Sequence, residues 1–244
     1  MRQQENQLLR RQGLVFFGKI VAGQAHEITN VLNVINELAG LQADVLAAVG
    51  RERTCNVERL IQVAERIRNQ VQRGEALVRS MSRFAHSVDE PVSIFDLKEA
   101  LEQVVCLAQR PANLAKTALS QEFPARSAVL EASPFSFKQA VLTCIEIALT
   151  ASSDSRRITV SYRVFDTRIE VAVASADPMT QTPNVLERQA HLALLMRELG
   201  GDVSAMSTSE EGHCITIQLP KAGKGARDDD VAIDEHGAED NHAS

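Results

Sequence analysis

Apolar or tolerated residues recur early in the chain at Leu14, Phe17, Val21, Gln24, Ile28, Val31, Ile35, Leu38, Gln42, Val45 and Val49, at spacings that alternate between three and four. A helical turn of 3.6 residues brings such positions onto one stripe, so the pattern predicts a long helix over about residues 5–49 with a heptad seam. Gly50, Thr54 and Asn56 supply turn and N-cap chemistry for a break. A second seam at Leu60, Ala64, Ile67, Val71, Gly74, Val78, Met81 and Ala85 predicts a helix over 57–87. Two long helices joined by a short loop make an antiparallel hairpin. One hairpin leaves its apolar seam half covered, and pairing with a second copy through residues 5–87 closes it as a dimeric four-helix bundle.

The pattern changes after Pro91, which marks residues 87–94 as a linker. An amphipathic helix is predicted over 95–108 with Asp96 near its start, then short strands near 116–122 and 128–131. Pro134 opens a strongly apolar helix through Ala151. Residues 157–165 and 167–175 alternate as an antiparallel hairpin turning at Asp166 and Thr167. A helix over 186–199 ends at Gly200-Gly201, and strands at 202–207 and 213–219 complete the layer. The fold class is therefore α+β: a helical hairpin over 1–90, an α/β sandwich of one mixed sheet with helices on one face over 91–220, and an acidic, apolar-poor tail over 221–244 that is expected to be disordered.

A chain of 244 residues, 44% hydrophobic, can bury one good core or two smaller ones. Its formal charge of -6 and the absence of a basic, aromatic-interleaved patch argue against a nucleic-acid surface. Cys55, Cys106, Cys144 and Cys214 have no metal-ligand spacing and read as reduced thiols. No apolar run reaches the roughly 20 residues that span a bilayer, and no signal-peptide pattern opens the chain. A soluble, cytoplasmic protein is expected, with no membrane contact and its input supplied by another protein.

One histidine stands out by phase. With Val21 and Ile28 at a and Gln24 and Val31 at d, His26 falls at f, farthest from the seam, where its imidazole meets solvent. Glu27 follows directly, where a carboxylate can orient an imidazole, and Asn30 lies one turn on along the same face. A neutral imidazole nitrogen so placed is a candidate nucleophile toward phosphorus. The same phase also fits an ordinary solvated polar face. His86, at the end of the second helix, reads as a solvated C-terminal cation.

His-Glu-Ile-Thr-Asn-Val-Leu-Asn-Val-Ile, residues 26–35, resembles the H-box of bacterial sensor histidine kinases. Val31 stands where that family usually has a proline, so a straighter helix is expected. The segment 68–84 resembles the second helix of the family's dimerisation and phosphotransfer domain, and Ser133-Pro-Phe-Ser-Phe-Lys-Gln-Ala-Val-Leu142 and Leu199-Gly-Gly-Asp-Val203 resemble parts of its ATP-binding domain. The resemblance implies that His26 is the phospho-accepting residue, Glu27 its acidic partner, and Asn30 a position that can set water for phosphatase chemistry.

The departures all bear on ATP. Aligned on Gln139, Ile147 occupies the place of the family's magnesium-supporting asparagine, and an isoleucine cannot coordinate a hard cation. Glu146 matches a frequent family acid but without its neighbour is equally readable as a surface residue. Ser175 aligns with the adenine-binding aspartate, Asp177 could replace it only by a two-residue backbone shift, and the glycine-rich phosphate box is replaced by His191-Leu-Ala-Leu-Leu-Met196. About ten residues between Ser175 and Leu186 are too few for a nucleotide lid. The expectation is a histidine phosphotransferase that relays a phosphoryl group between response-regulator receiver domains through His26, binding no cofactor itself and using magnesium supplied by the receiver. Met179 or Leu194 is a candidate docking patch, though core packing is the commoner role for such residues. The alternatives are a noncatalytic adaptor regulating a histidine kinase, and an active kinase with an unusual nucleotide site.

Overall fold

The computed structural model describes residues 2–49, 57–89, 91–151, 157–208 and 212–221. Two helices, α1 (Arg2–Val49) and α2 (Val57–His86), form the antiparallel hairpin. The predicted break at 50–56 and the tail beyond residue 221 lie outside the described residues.

The seam of α1 holds from Val21 to Val45. Gln24, Val31 and Leu38 are buried, and Val21, Ile28, Ile35, Gln42 and Val45 are half-buried. It fails toward the N-terminus: Leu14 is 75% exposed, and Gly13 and Ile20 turn inward with half-buried Phe16 and Phe17. The reason is a second partner. Phe16 meets Phe84 of α2 edge-on at 5.7 Å and Phe135 of the second domain at 5.6 Å, and Phe17 stacks on Phe84. Edge-on and offset aromatic pairs of this kind add to the burial term, so the lower helix rotates its apolar face toward the sheet domain.

Phe84 also decides the phase of α2. Leu60, Ile67, Gly74 and Met81 lie inward as expected, but Ala64, Val71 and Val78 are exposed and their places are taken by Val63, Gln70 and Leu77, while buried Phe84 sits beside half-buried Ala85. At the crossing a Cβ on Gly74 would lie 3.3 Å from Val31 Cγ1, so the absence of a side chain there lets the two helices approach closely.

The predicted linker is shorter than read. Ser93–Asp96 forms strand β1, which pairs antiparallel with β3 (Val129–Ala132) as a separate two-stranded sheet. Between them run α3 (Leu97–Leu114) and β2 (Ala118–Glu122). Asp96 caps α3 by accepting from the Glu99 amide at 2.8 Å. The helix outlasts its predicted end at Ala108 and passes through Pro111, which sits in the last turn where its missing amide forfeits one interior bond. Lys116 closes the turn at φ 55.

Then follow α4 (Pro134–Ala151), β4 (Arg157–Val164), β5 (Arg168–Ser175), α5 (Pro183–Glu198), β6 (Asp202–Thr208) and β7 (Gly212–Pro220). Thr182 caps α5, accepting from the Val185 amide. The five-stranded sheet runs β2-β4-β5-β7-β6, with β2 parallel to β4 and all other neighbours antiparallel. Alternate residues Ile158, Val160, Val171, Val173, Ile215 and Ile217 face a core completed by Leu101, Val104, Phe137, Ile145, Leu192 and Leu195 of the helices, all essentially solvent-free. The chain is thus α+β, a helical region followed by an α/β sheet domain.

Candidate functional site

The turn of α1 that carries His26 is regular helix, and Thr29 Oγ1 donates back to the Ala25 carbonyl at 2.9 Å. With Gln24 and Val31 buried on the seam, His26 is exposed, as its phase places it, and Asn30 is exposed one turn beyond. Glu27 behaves differently. Its side chain is 17% exposed, and each carboxylate oxygen has its own guanidinium: Arg73 Nη2 of α2 lies 3.1 Å from Oε2, and Arg110 Nε of α3 lies 3.3 Å from Oε1. Arg110 Nη1 also donates to the Gly23 carbonyl at 3.0 Å.

The second domain therefore lies against the His26 face of α1. Lys19, seven residues before His26 and on the same stripe, is ion-paired with Glu146 of α4, and Glu146 also pairs with Arg188 of α5. Between these bridges runs a cleft of about 460 Å³ lined by His26, Lys19, Gln24, Arg110, Leu142 and Glu146, among others. Gln24 is buried there, and its side-chain oxygen has no hydrogen-bond partner among the described residues.

The positions that resemble an ATP site are filled differently. Ile147 is completely buried in the core. Glu146 is no free surface acid, since its side chain is 16% exposed between two cations. At the end of β5, Ser175 is buried, its Oγ accepts from the Asp177 amide at 3.4 Å, and the Asp177 carbonyl faces His213 Nδ1 at 2.6 Å. His191 lies within α5, with Nε2 3.0 Å from Gln139 Nε2, and burial lowers its pKa against the opposing pull of Glu146. No group of three or more His, Cys, Asp or Glu able to hold a metal occurs among the described residues.

Met179 and Leu194 are half-buried, Met179 packing on the core with its sulfur facing Gln181 and Gln189. His86 is exposed and paired with Asp89 at 2.8 Å, and Cys106, Cys144 and Cys214 are free thiols. No helix among the described residues is long and apolar enough to cross a membrane.

Sequence reasoning singled out His26, Glu27 and Asn30, which lie along one stretch of α1, but not Arg73, Arg110 and Lys19, which the structure brings beside them. Arg110 had one available signal, the Arg110-Pro111 step in a helix read as ending two residues earlier.

No protein-family model matches the sequence. The chain is 29% identical over 233 residues to the sensor histidine kinase ZraS of Klebsiella oxytoca, a match covering 88% of this chain and 48% of that protein. It thus spans about half the length of that curated relative. Solved structures with a similar course include the Acinetobacter baumannii histidine kinase AdeS, at 16% identity, with 75% of this chain and 95% of that one covered and a TM-score of 0.46. Another is histidine kinase ThkA in complex with response regulator protein TrrA, at 17% identity, 91% and 66% coverage and a TM-score of 0.44. Over 88% of its length the chain is thus similar in sequence to a sensor histidine kinase.

Proposed function

We propose that the chain works in two-component signalling as a histidine phosphotransferase, accepting a phosphoryl group on His26 from the aspartate of one receiver domain and passing it to the aspartate of another. The observation that carries this reading is the contrast between two residues: His26 stands exposed beside a fixed carboxylate, while Ile147, in the magnesium-supporting position, is sealed in the core. In the accepting step an imidazole nitrogen forms the N–P bond, the O–P bond of the receiver's acyl phosphate breaks, the aspartate leaves as a carboxylate, and the imidazole N–H proton passes to solvent. The receiver supplies the magnesium. This chain supplies the nucleophile and its orientation. Glu27 orients the imidazole, and Asn30 sets water for hydrolysis of the phosphohistidine. A homodimer through residues 5–87 presents the site, built over the apolar stripe that the lone hairpin leaves open.

A second reading, a noncatalytic adaptor for a histidine kinase, draws support from the second domain lying along the His26 face through Lys19 and Arg110. One paired experiment separates the two. The protein and its His26→Ala variant are incubated with radiolabelled ATP and magnesium, and separately with a phosphorylated receiver domain. Label reaching His26 from the receiver alone is expected. Label from ATP would make the chain a kinase, and label from neither would make it an adaptor.

A further inference from the structure

We propose that Arg110, a residue of the second domain, is a positioning residue for phosphoryl transfer at His26. The inference deepens the reading above and rests on its claim that His26 is the nucleophile, though not on the receiver being the donor.

Glu27 follows His26 on α1, about 100° further round the helix, so its carboxylate can serve the imidazole only if the side chain is held in place. Within the hairpin its one ion-pair partner among the described residues is Arg73, whose side chain is 58% exposed. Arg73 alone would draw the carboxylate toward α2 and leave it mobile, as exposed pairs are. Arg110 opposes that pull from the other side. Its Nε faces Oε1 of Glu27 while its Nη1 holds the Gly23 carbonyl, one turn before His26. A guanidinium can make both contacts at once because its donors are fixed in a planar fork, which an ammonium lacks. Arg110 is also the more enclosed of the two, and it lines the same cleft as His26. Carboxylate, helix turn and second domain are thereby locked together beside the nucleophile. The sheet domain then has a task near the chemistry that needs no nucleotide.

The test uses the full chain and phosphoramidate, a small donor that needs no docking surface. Here an imidazole nitrogen of His26 takes the phosphoryl group, the P–N bond of the donor breaks, and ammonia leaves with the transferred proton. His26 labelling is followed by intact mass, with His26→Ala as the blank for the other histidines. Arg110→Gln is expected to slow labelling about tenfold, the effect of losing one charge-assisted hydrogen bond. Arg110→Lys, which keeps the charge but can hold only one of the two contacts, should slow labelling about fivefold. On a Glu27→Gln background Arg110→Gln should change the rate by less than about twofold, because a residue that acts through Glu27 has nothing left to position. Should Arg110→Gln fail to fold, Arg110→Lys is compared on the two backgrounds instead, with its effect expected only beside Glu27. An unchanged rate in Arg110→Gln, an equal slowing with and without Glu27, or no labelling of His26 at all would overturn the inference. Labelling by phosphoramidate but never by a phosphorylated receiver would overturn the phosphotransferase reading and leave Arg110's role standing.

Discussion

Lys19 of the hairpin and Glu146 of the sheet domain form an ion pair across the two parts of the chain, and Arg188 of α5 completes it on the far side of the carboxylate. The three members are unequal. Lys19 is 55% exposed and its pairing is screened, whereas Glu146 is largely enclosed and faces both cations. Glu146→Ala, which removes the partner of both Lys19 and Arg188 and leaves Arg188 with Asn184, should cost about 2 kcal/mol. Lys19→Met should cost less than about 1 kcal/mol. Denaturant midpoints of the two variants, measured at low and high salt, check the order, and a larger loss for Lys19→Met would refute it.

Lys138 is a buried cation on α4 whose pKa is lowered to about 8, chiefly by burial, with Glu99 pulling it up and Arg83 pushing it down. The unfolded chain holds this proton up to about 10.5, the ordinary value, so between about 8 and 10.5 the unfolded state binds more protons than the folded one. Stability from this group therefore rises with pH across that window, and the full penalty is felt below it. Lys138→Met should raise the melting temperature at pH 7, and its advantage should shrink steadily toward pH 10. A gain that grew with pH would contradict the sign.

Two glycines with positive φ should respond very differently to alanine. Gly200, at φ 69 just past α5, has open space where a Cβ would go, so Gly200→Ala pays only the left-handed backbone cost, about 1–2 kcal/mol. Gly212, at φ 87, would place a Cβ 2.0 Å from the Ser175 carbonyl oxygen and 2.6 Å from the Ala176 carbonyl carbon. The start of β7 would have to part from the end of β5, costing more than about 3 kcal/mol. Thermal melts of the two variants give the ranking directly.

These glycines also mark how much the sequence disclosed. Gly200 announced the end of α5 because a C-terminal glycine is a local signal, and Pro134, Asp96 and the alternation of 157–175 were local in the same sense. What escaped depends on distant partners. β1 is four residues long and exists through its pairing with β3 across α3. The inward stripe of α2 could have been Val71 and Val78 or Leu77 and Phe84, and the aromatic cluster with Phe16, Phe17 and Phe135 chose the latter. At the candidate site, the His26 exposure follows from phase, but the grip on Glu27 comes from arginines that no spacing relates to it, Arg73 lying 46 residues away.

Asn30 is exposed one turn beyond His26 and belongs to neither ion network. If it sets water for hydrolysis, Asn30→Ala should lengthen the lifetime of phosphorylated His26 severalfold while changing the forward transfer rate by less than about twofold. Pulse labelling with a phosphorylated receiver, followed by a chase without it, measures both rates in one experiment. Equal slowing of the two would assign Asn30 to docking or to the nucleophile's geometry instead.

Among the described residues the hairpin leaves a further apolar stripe without cover. Leu32 and Leu46 of α1 are exposed two heptads apart, with Ala25 and Ala39 in the same column, and Val57, Val71 and Val78 are exposed in register on α2. Heptad spacing on both helices is what a second copy would match with knobs and holes of its own, whereas scattered surface residues would show no such column. Sedimentation of the native chain should therefore show a dimer at micromolar concentration. Val71→Glu and Leu32→Glu, each burying a charge in the proposed four-helix core, should shift it to monomer with the sheet domain still folded by its far-ultraviolet spectrum. A native chain that sediments as a monomer would refute the dimer. Dissociation by a control glutamate at exposed Val164, on β4 and away from the hairpin, would show instead that association runs through the sheet domain.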